Sequence, residues 1–235
     1  MLRFQIKQGS DYRILYNAST ASQIDAAWFD PEYWEQQGQL LGGAPGRGTS
    51  CFVKHHHQEF VLRHYHRGGL VGRWLKDKYL WLGLARTRPW REMHLLAKLW
   101  AMGLPVPTPV AAQVVRQGVW YRADLLTQRL PDVVPLADII HELPVVALQV
   151  VGHTIRRFHR AGLYHVDLNP RNIVINPITE EVFLLDFDRC KLFGKPLDPV
   201  RCRANLNRLH RAFLKHHRDQ ADQWMQVIEQ AYWSV

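Results

Sequence analysis

Two carboxylates and an amide, set around a polar loop and two apolar strands, constrain this chain more than any other feature. The stretch is Tyr164-His165-Val166-Asp167-Leu168-Asn169-Pro170-Arg171-Asn172-Ile173-Val174-Ile175, followed by Val182-Phe183-Leu184-Leu185-Asp186-Phe187-Asp188. Read by pattern, a polar loop joins a helix to an apolar strand, and a second strand ends in Asp186, 19 residues after Asp167. Neighbouring strand ends then carry Asn172 and Asp186, oxygen donors of the kind Mg2+ takes beside phosphate oxygens. Asp167 is left to meet a hydroxyl proton. Turn capping alone does not call for Asp, Asn and Asp at these separations.

The rest of the chain changes period near its middle. Phe4 to Ile6 and Tyr12 to Tyr16 alternate like strands, and Asp30-Pro31 caps a short helix. Leu41 to Ser50 reads as a glycine-rich loop, and Cys51–Lys54 with Glu59–Tyr65 as a hairpin around His55-His56-His57. That histidine run is read as a polar turn in preference to a metal site. Pro89 to Trp100 carries helical spacing, ended by Gly103 and Pro105; Val110–Val115 and Val119–Leu130 return to strands. Pro131-Asp132-Val133-Val134-Pro135 is the best linker, which places a β-rich lobe at 1–130 and a helical lobe at 131–235. In the second lobe, Pro144 to Arg160 is a helix with a Val151, Ile155, Phe158 stripe. Arg203 to Gln230 is helical with a break near Asp219.

Composition narrows the partners. The 235 residues are 47% hydrophobic and carry 30 Lys and Arg against 21 Asp and Glu, a formal charge of +9. That excess favours a polyanion: nucleic acid, nucleotide or an anionic membrane surface. No uncharged apolar run approaches the ~18 residues of a membrane span, and Met1–Lys7 alternates like a strand instead of opening a signal peptide. Cys51, Cys190 and Cys202 are scattered, which indicates neither a disulfide framework nor a cysteine zinc site and suits a reducing cytoplasm. Basic residues gather in Leu70–Arg91, among Trp74, Tyr79, Trp81 and Trp90, and again in Arg201–Arg218. Trp74, Trp81 and Trp90 could sit at a headgroup interface, with Arg73, Lys76, Lys78, Arg86 and Arg88 on anions; the equal alternative turns the aromatics to the core.

His165-x-Asp167-Leu168-x-Pro170-x-Asn172 resembles the catalytic loop of the protein-kinase-like superfamily, and Asp186-Phe187 resembles its metal-binding motif. Asp188 departs from it, since protein kinases carry Gly there. The fold this implies is α+β and bilobal: an N-terminal antiparallel sheet lobe with one helix, and a mainly helical C-terminal lobe. The Gly42–Ser50 loop, with Gly43, Gly46 and Gly48, stands where a phosphate-covering loop belongs, although its spacing equally suits an ordinary turn. Arg63 stands where such kinases place a lysine, and Glu92, 29 residues on, is its candidate partner.

Within that superfamily the chain resembles the 3-deoxy-D-manno-octulosonic acid (Kdo) kinase family of Gram-negative bacteria. The resemblance rests on Val61-Leu62-Arg63-His64-Tyr65-x-Arg67-Gly68-Gly69, Trp90-Arg91-Glu92, Gly103-Leu104-Pro105-Val106-Pro107, His165-Val166-Asp167-Leu168-Asn169 and Leu185-Asp186-Phe187-Asp188-Arg189. In that family Arg at position 63 is normal. The resemblance implies ATP-dependent, Mg2+-assisted phosphorylation of the 4-hydroxyl of Kdo on a lipid A precursor, in lipopolysaccharide inner-core assembly. It implies a peripheral enzyme at the cytoplasmic face of the inner membrane, with no nucleic acid as partner. Asp167 would be catalytic, Asn172 and Asp186 would hold the metal, Arg63 positioned by Glu92 would neutralise phosphates, and His165 would brace the loop. Two other readings stay open: a heptose, aminoglycoside, choline or protein kinase on the same scaffold, or a non-catalytic basic module for membrane or nucleic acid.

Overall fold

Alternating sequence through the first half pairs as one antiparallel sheet. The computed structural model describes residues 2–43, 50–66 and 77–234 and divides into two compact units, residues 1–97 with 107–129, and residues 98–106 with 130–235. In the first unit, β1 (Phe4–Gln8), β2 (Tyr12–Asn17), α1 (Pro31–Gln36), β3 (Leu40–Gly43), β4 (Ser50–His55), β5 (Gln58–His64), β6 (Tyr79–Leu80), β7 (Pro109–Gln117) and β8 (Trp120–Gln128) follow in order, with α2 (Arg88–Ala101) between β6 and β7. The described strands run β1-β2-β7-β8-β5-β4-β3, and β6 adds to β8.

The sheet buries both faces, which is why its strands hold so many apolar residues in succession. On one face Trp28, Phe29 and Trp34 pack over Ile14, Val53, Phe60, Leu62, Ala111 and Leu126. On the other, Trp90 and Met93 of α2 meet Leu15, Ala112, Val114, Leu125 and Tyr65. Helix α1 starts as its sequence directs: the Asp30 carboxylate accepts from the Glu32 N–H at 3.0 Å and Pro31 holds the first position.

One expectation needs correction here, and one open alternative is decided. Leu40–Gly43, read largely as loop, is a strand; a register shift between Leu40 and Gly42, with Gly42 at φ 122°, hid it as glycine content. Trp90 is 5% exposed, and Trp81 packs against the same cluster with the Arg116 guanidinium 4.9 Å above its ring. Those two tryptophans therefore turn to the core, and among the described residues of the stretch the exposed large apolar side chains are Leu80 and Leu82. Trp74, Arg73 and Lys76 lie outside the described residues. His55-His56-His57 does form the β4–β5 turn, His55 packing 4.5 Å from the Trp28 ring.

The second unit contains β9 (Val134–Pro135), α3 (Leu136–Ile139), α4 (Val145–Arg160), β10 (Leu163–Tyr164), β11 (Ile173–Ile175), β12 (Val182–Leu184), β13 (Lys191–Leu192), α5 (Pro199–His216) and α6 (Arg218–Trp233). The residues read as linker thus supply β9, which pairs antiparallel with β11, itself paired with β12. Val151, Ile155 and Phe158 of α4 are fully buried, and each contributes roughly 1.5–3 kcal/mol of burial. Helix α5 begins four residues before the expected Arg203, because Asp198 caps it through the Arg201 N–H at 2.9 Å and Pro199 fits its first turn. The break falls at His217, whose φ of −144° and ψ of 59° end α5 and admit α6.

Candidate active site

The polar loop between β10 and β11 is held from beneath by a buried histidine. His165 is 1% exposed. Its Nε2 lies 3.0 Å from the Leu185 carbonyl, and its Nδ1 accepts the Asp167 N–H at 3.3 Å. Those partners require a neutral imidazole protonated on Nε2, and burial pulls its pKa below the ordinary histidine value in agreement. The brace role expected for His165 is what the geometry provides.

Asn172 ties the loop to the second strand. Its Nδ2 donates to the Asp167 carbonyl at 2.9 Å, and its own carbonyl accepts the Leu185 N–H at 2.9 Å. The Leu185 link sets Asp186, the next residue, beside Asn172. Asp186 takes φ 63°, a left-handed conformation that Asp and Asn tolerate better than other side chains. Asp167 is more open, with 59% of its side chain exposed. Asp167 and Asp186 both act electrostatically on His165. The second unit therefore brings Asp167 and Asp186 within electrostatic reach of one histidine, with the Asn172 side chain bonded to the Asp167 backbone. Asp188 pairs locally with Arg189 at 3.3 Å.

In the first unit the guanidinium of Arg63, on β5, donates to the Glu92 carboxylate on α2. Glu92 is 3% exposed and also accepts the Tyr65 hydroxyl. Arg63 Nη2 reaches the Tyr65 hydroxyl at 3.0 Å, and its guanidinium stacks 4.7 Å over that ring. Tyr65 was not singled out from the sequence; the available signal was its position two residues after Arg63, on the same strand face. Of the three glycines, Gly43 closes β3 and has room for a side chain, while Gly46 and Gly48 lie outside the described residues.

The donor chemistry of the second unit fits a hard divalent cation. Asn172 and Asp186 offer oxygen, and no group of three or more His, Cys, Asp or Glu among the described residues is arranged as a metal cage. A pair of oxygen ligands completed by phosphate oxygens and water is the usual Mg2+ arrangement in phosphoryl-transfer sites.

Comparison with known proteins places this geometry in context. The family model described as "Lipopolysaccharide kinase (Kdo/WaaP) family" matches residues 31–232. A 3-deoxy-D-manno-octulosonic acid kinase of Vibrio vulnificus (strain CMCP6) is 38% identical over 93% of this chain and 92% of its own. Kinases of the same name from Vibrio parahaemolyticus (42% identity; 80% and 78% covered) and Haemophilus influenzae strain 86-028NP (36%; 90% and 90%) are similar too. Among solved structures, an aminoglycoside-3'-phosphotransferase of type VIII superposes with a TM-score of 0.55 at 18% identity, covering 83% of this chain and 85% of its own. WaaP in complex with acyl carrier protein gives 0.50 at 13% identity, with 98% and 100% covered. These two likenesses concern the α+β kinase-like fold.

Proposed function

Because the chain belongs to the lipopolysaccharide kinase (Kdo/WaaP) family, we propose that it is an ATP-dependent kinase that phosphorylates the 4-hydroxyl of Kdo on a lipid A precursor. The observation that carries this reading is the extent of the similarity. Kinases named for this sugar acid are 36–42% identical across most of both chains.

Phosphoryl transfer needs positioning and charge neutralisation more than covalent chemistry. Asp167 orients the acceptor hydroxyl and receives its proton, and alignment for in-line attack is the larger part of its role. His165 and Asn172 fix the loop backbone on which Asp167 rides. Asn172 and Asp186 would hold Mg2+, whose charge stabilises the transferring phosphates when bound. Arg63, kept in place by Glu92 and Tyr65, presents positive charge to the non-transferred phosphates.

The same reading makes the protein peripheral at the anionic cytoplasmic face of the inner membrane. Leu80, Leu82 and Val119 are half or more exposed, and the Trp81 N–H to Val119 carbonyl bond of 2.9 Å keeps them neighbours. Arg211, Lys215 and Arg218 are exposed around the end of α5. An apolar cluster and basic side chains are the usual elements of interfacial binding. No described helix is long and apolar enough to cross a membrane.

The test is transfer of labelled phosphate from ATP, with Mg2+, to a Kdo-bearing lipid A precursor. Label should appear on the Kdo 4-position. Transfer to heptose, aminoglycoside, choline or protein acceptors but not to the Kdo acceptor would overturn the assignment. Salt-dependent anion binding that survives Asp167→Ala without ATP turnover would point to a non-catalytic basic module.

A further inference from the structure

Helix α5 is keyed to the Asp167 loop by a wholly buried polar side chain. Asn205 is 0% exposed. Its Oδ1 accepts the His165 N–H at 3.1 Å and lies 3.1 Å from His159 Nε2, while its Nδ2 donates to the His165 carbonyl at 2.8 Å. Such a set of bonds fixes both the rotation and the height of α5 against the loop. A residue three positions on lies on the same helical face, and that residue is Arg208. Its Nη1 stands 3.9 Å from Asp167 Oδ1, with 42% of the Arg208 side chain exposed.

That separation is beyond hydrogen-bond reach, and a pair this exposed contributes little as a brace. The loop is already held through His165 and Asn172. What the arrangement does is set a planar fork of N–H donors beside the carboxylate that orients the acceptor hydroxyl. A guanidinium takes a carboxylate through two parallel hydrogen bonds. The acceptor sugar is itself an acid, with its carboxylate on the ring carbon two positions from the 4-hydroxyl. Brought in alone, that carboxylate meets like charge from Asp167; Arg208 opposes the repulsion where it arises. Arg189 differs, for its Nε stands closer to its own partner, 3.3 Å from Asp188.

We infer that Arg208 is a specificity-determining residue that binds the carboxylate of the acceptor sugar while its hydroxyl rests on Asp167. This rests on the Kdo kinase reading and deepens it.

The experiment compares kcat/KM for the Kdo-bearing acceptor with that for its carboxyl methyl ester, which keeps the hydroxyl and removes the charge. The unaltered enzyme should prefer the acid by about 10- to 100-fold, the range of a hydrogen bond to a charged group. In Arg208→Ala that preference should collapse towards one, and Arg208→Lys should restore part of it. If Arg208→Ala slows acid and ester alike and keeps the preference, Arg208 serves the phosphates or the fold and the inference is overturned. An unchanged Arg208→Ala overturns it as well. If the unaltered enzyme transfers phosphate to neither acceptor, the functional reading itself fails, a result separable from the other two.

Discussion

Asp167 contributes its backbone N–H, and not its carboxylate, to the loop's internal bonding, and its side chain is 59% exposed. Asp167→Ala should therefore leave the melting temperature nearly unchanged while phosphate transfer falls on the order of 10²–10⁴-fold. Substantial residual transfer, or a large melting shift, would remove the assigned role. Arg63 is the opposite case, since its partner Glu92 is only 3% exposed. Arg63→Met should destabilise by roughly 3 kcal/mol, because it leaves a buried carboxylate short of its cation. Adding Glu92→Met should recover most of that stability without recovering affinity for ATP. Urea unfolding beside ATP titration separates the two effects, and recovery of both would place Arg63 outside the nucleotide site. At this scale the Asp167–Asn172–Asp186 set was legible because its chemistry demands particular side chains at particular separations. Arg208 was not, since it acquires its contact through packing of an element remote in sequence, and Tyr65 was marked only by its place two residues after Arg63.

Helices α4 and α6 meet where one side chain is missing. A Cβ built on Gly152 would stand 2.3 Å from the Ile228 carbonyl oxygen and 3.1 Å from the Ala231 Cβ. Backbone cannot yield cheaply, so Gly152→Ala should force the helices apart and cost about 1–3 kcal/mol despite alanine's better helix propensity. Thermal or urea unfolding reads this directly, and a neutral or stabilising result would show that the approach is looser. The long apolar stripes made α4 and α2 readable from sequence, since an amphipathic period outlasts local noise. Short strands fared worse: β3 is masked by its glycines, and β9 borrows its pairing from β11, some forty residues on. The start of α5 was misplaced because Asp198-Pro199 precedes its apolar stripe, and a cap exerts its pull outside the periodic segment.

Across the whole molecule the perturbed histidines titrate unevenly between the two units. In the second, burial pulls His159 down to about 4 from the ordinary 6.5 and lowers His165 as well. Both are neutral when folded, so the unfolded chain binds more protons below the ordinary value. Their stabilising share is complete above about pH 6.5; that of His159 is lost as pH falls towards 4 and is on the order of 3 kcal/mol, and that of His165 is lost as pH falls through its lowered value. In the first unit burial lowers His55 likewise, while at His64 the sign reverses. His64 Nδ1 lies 2.6 Å from the Asp124 carboxylate, which raises its pKa. That contribution is complete below the ordinary histidine value and is lost as pH rises through the raised one. Mild acid should thus loosen the helical unit more than the sheet. Hydrogen exchange at pH 8 and pH 5, corrected for intrinsic rates, should show α4, α5 and α6 losing protection by several-fold more than β5, β7 and β8. Equal loss in both units, or greater loss in the sheet, would mean that these histidines do not control the acid response.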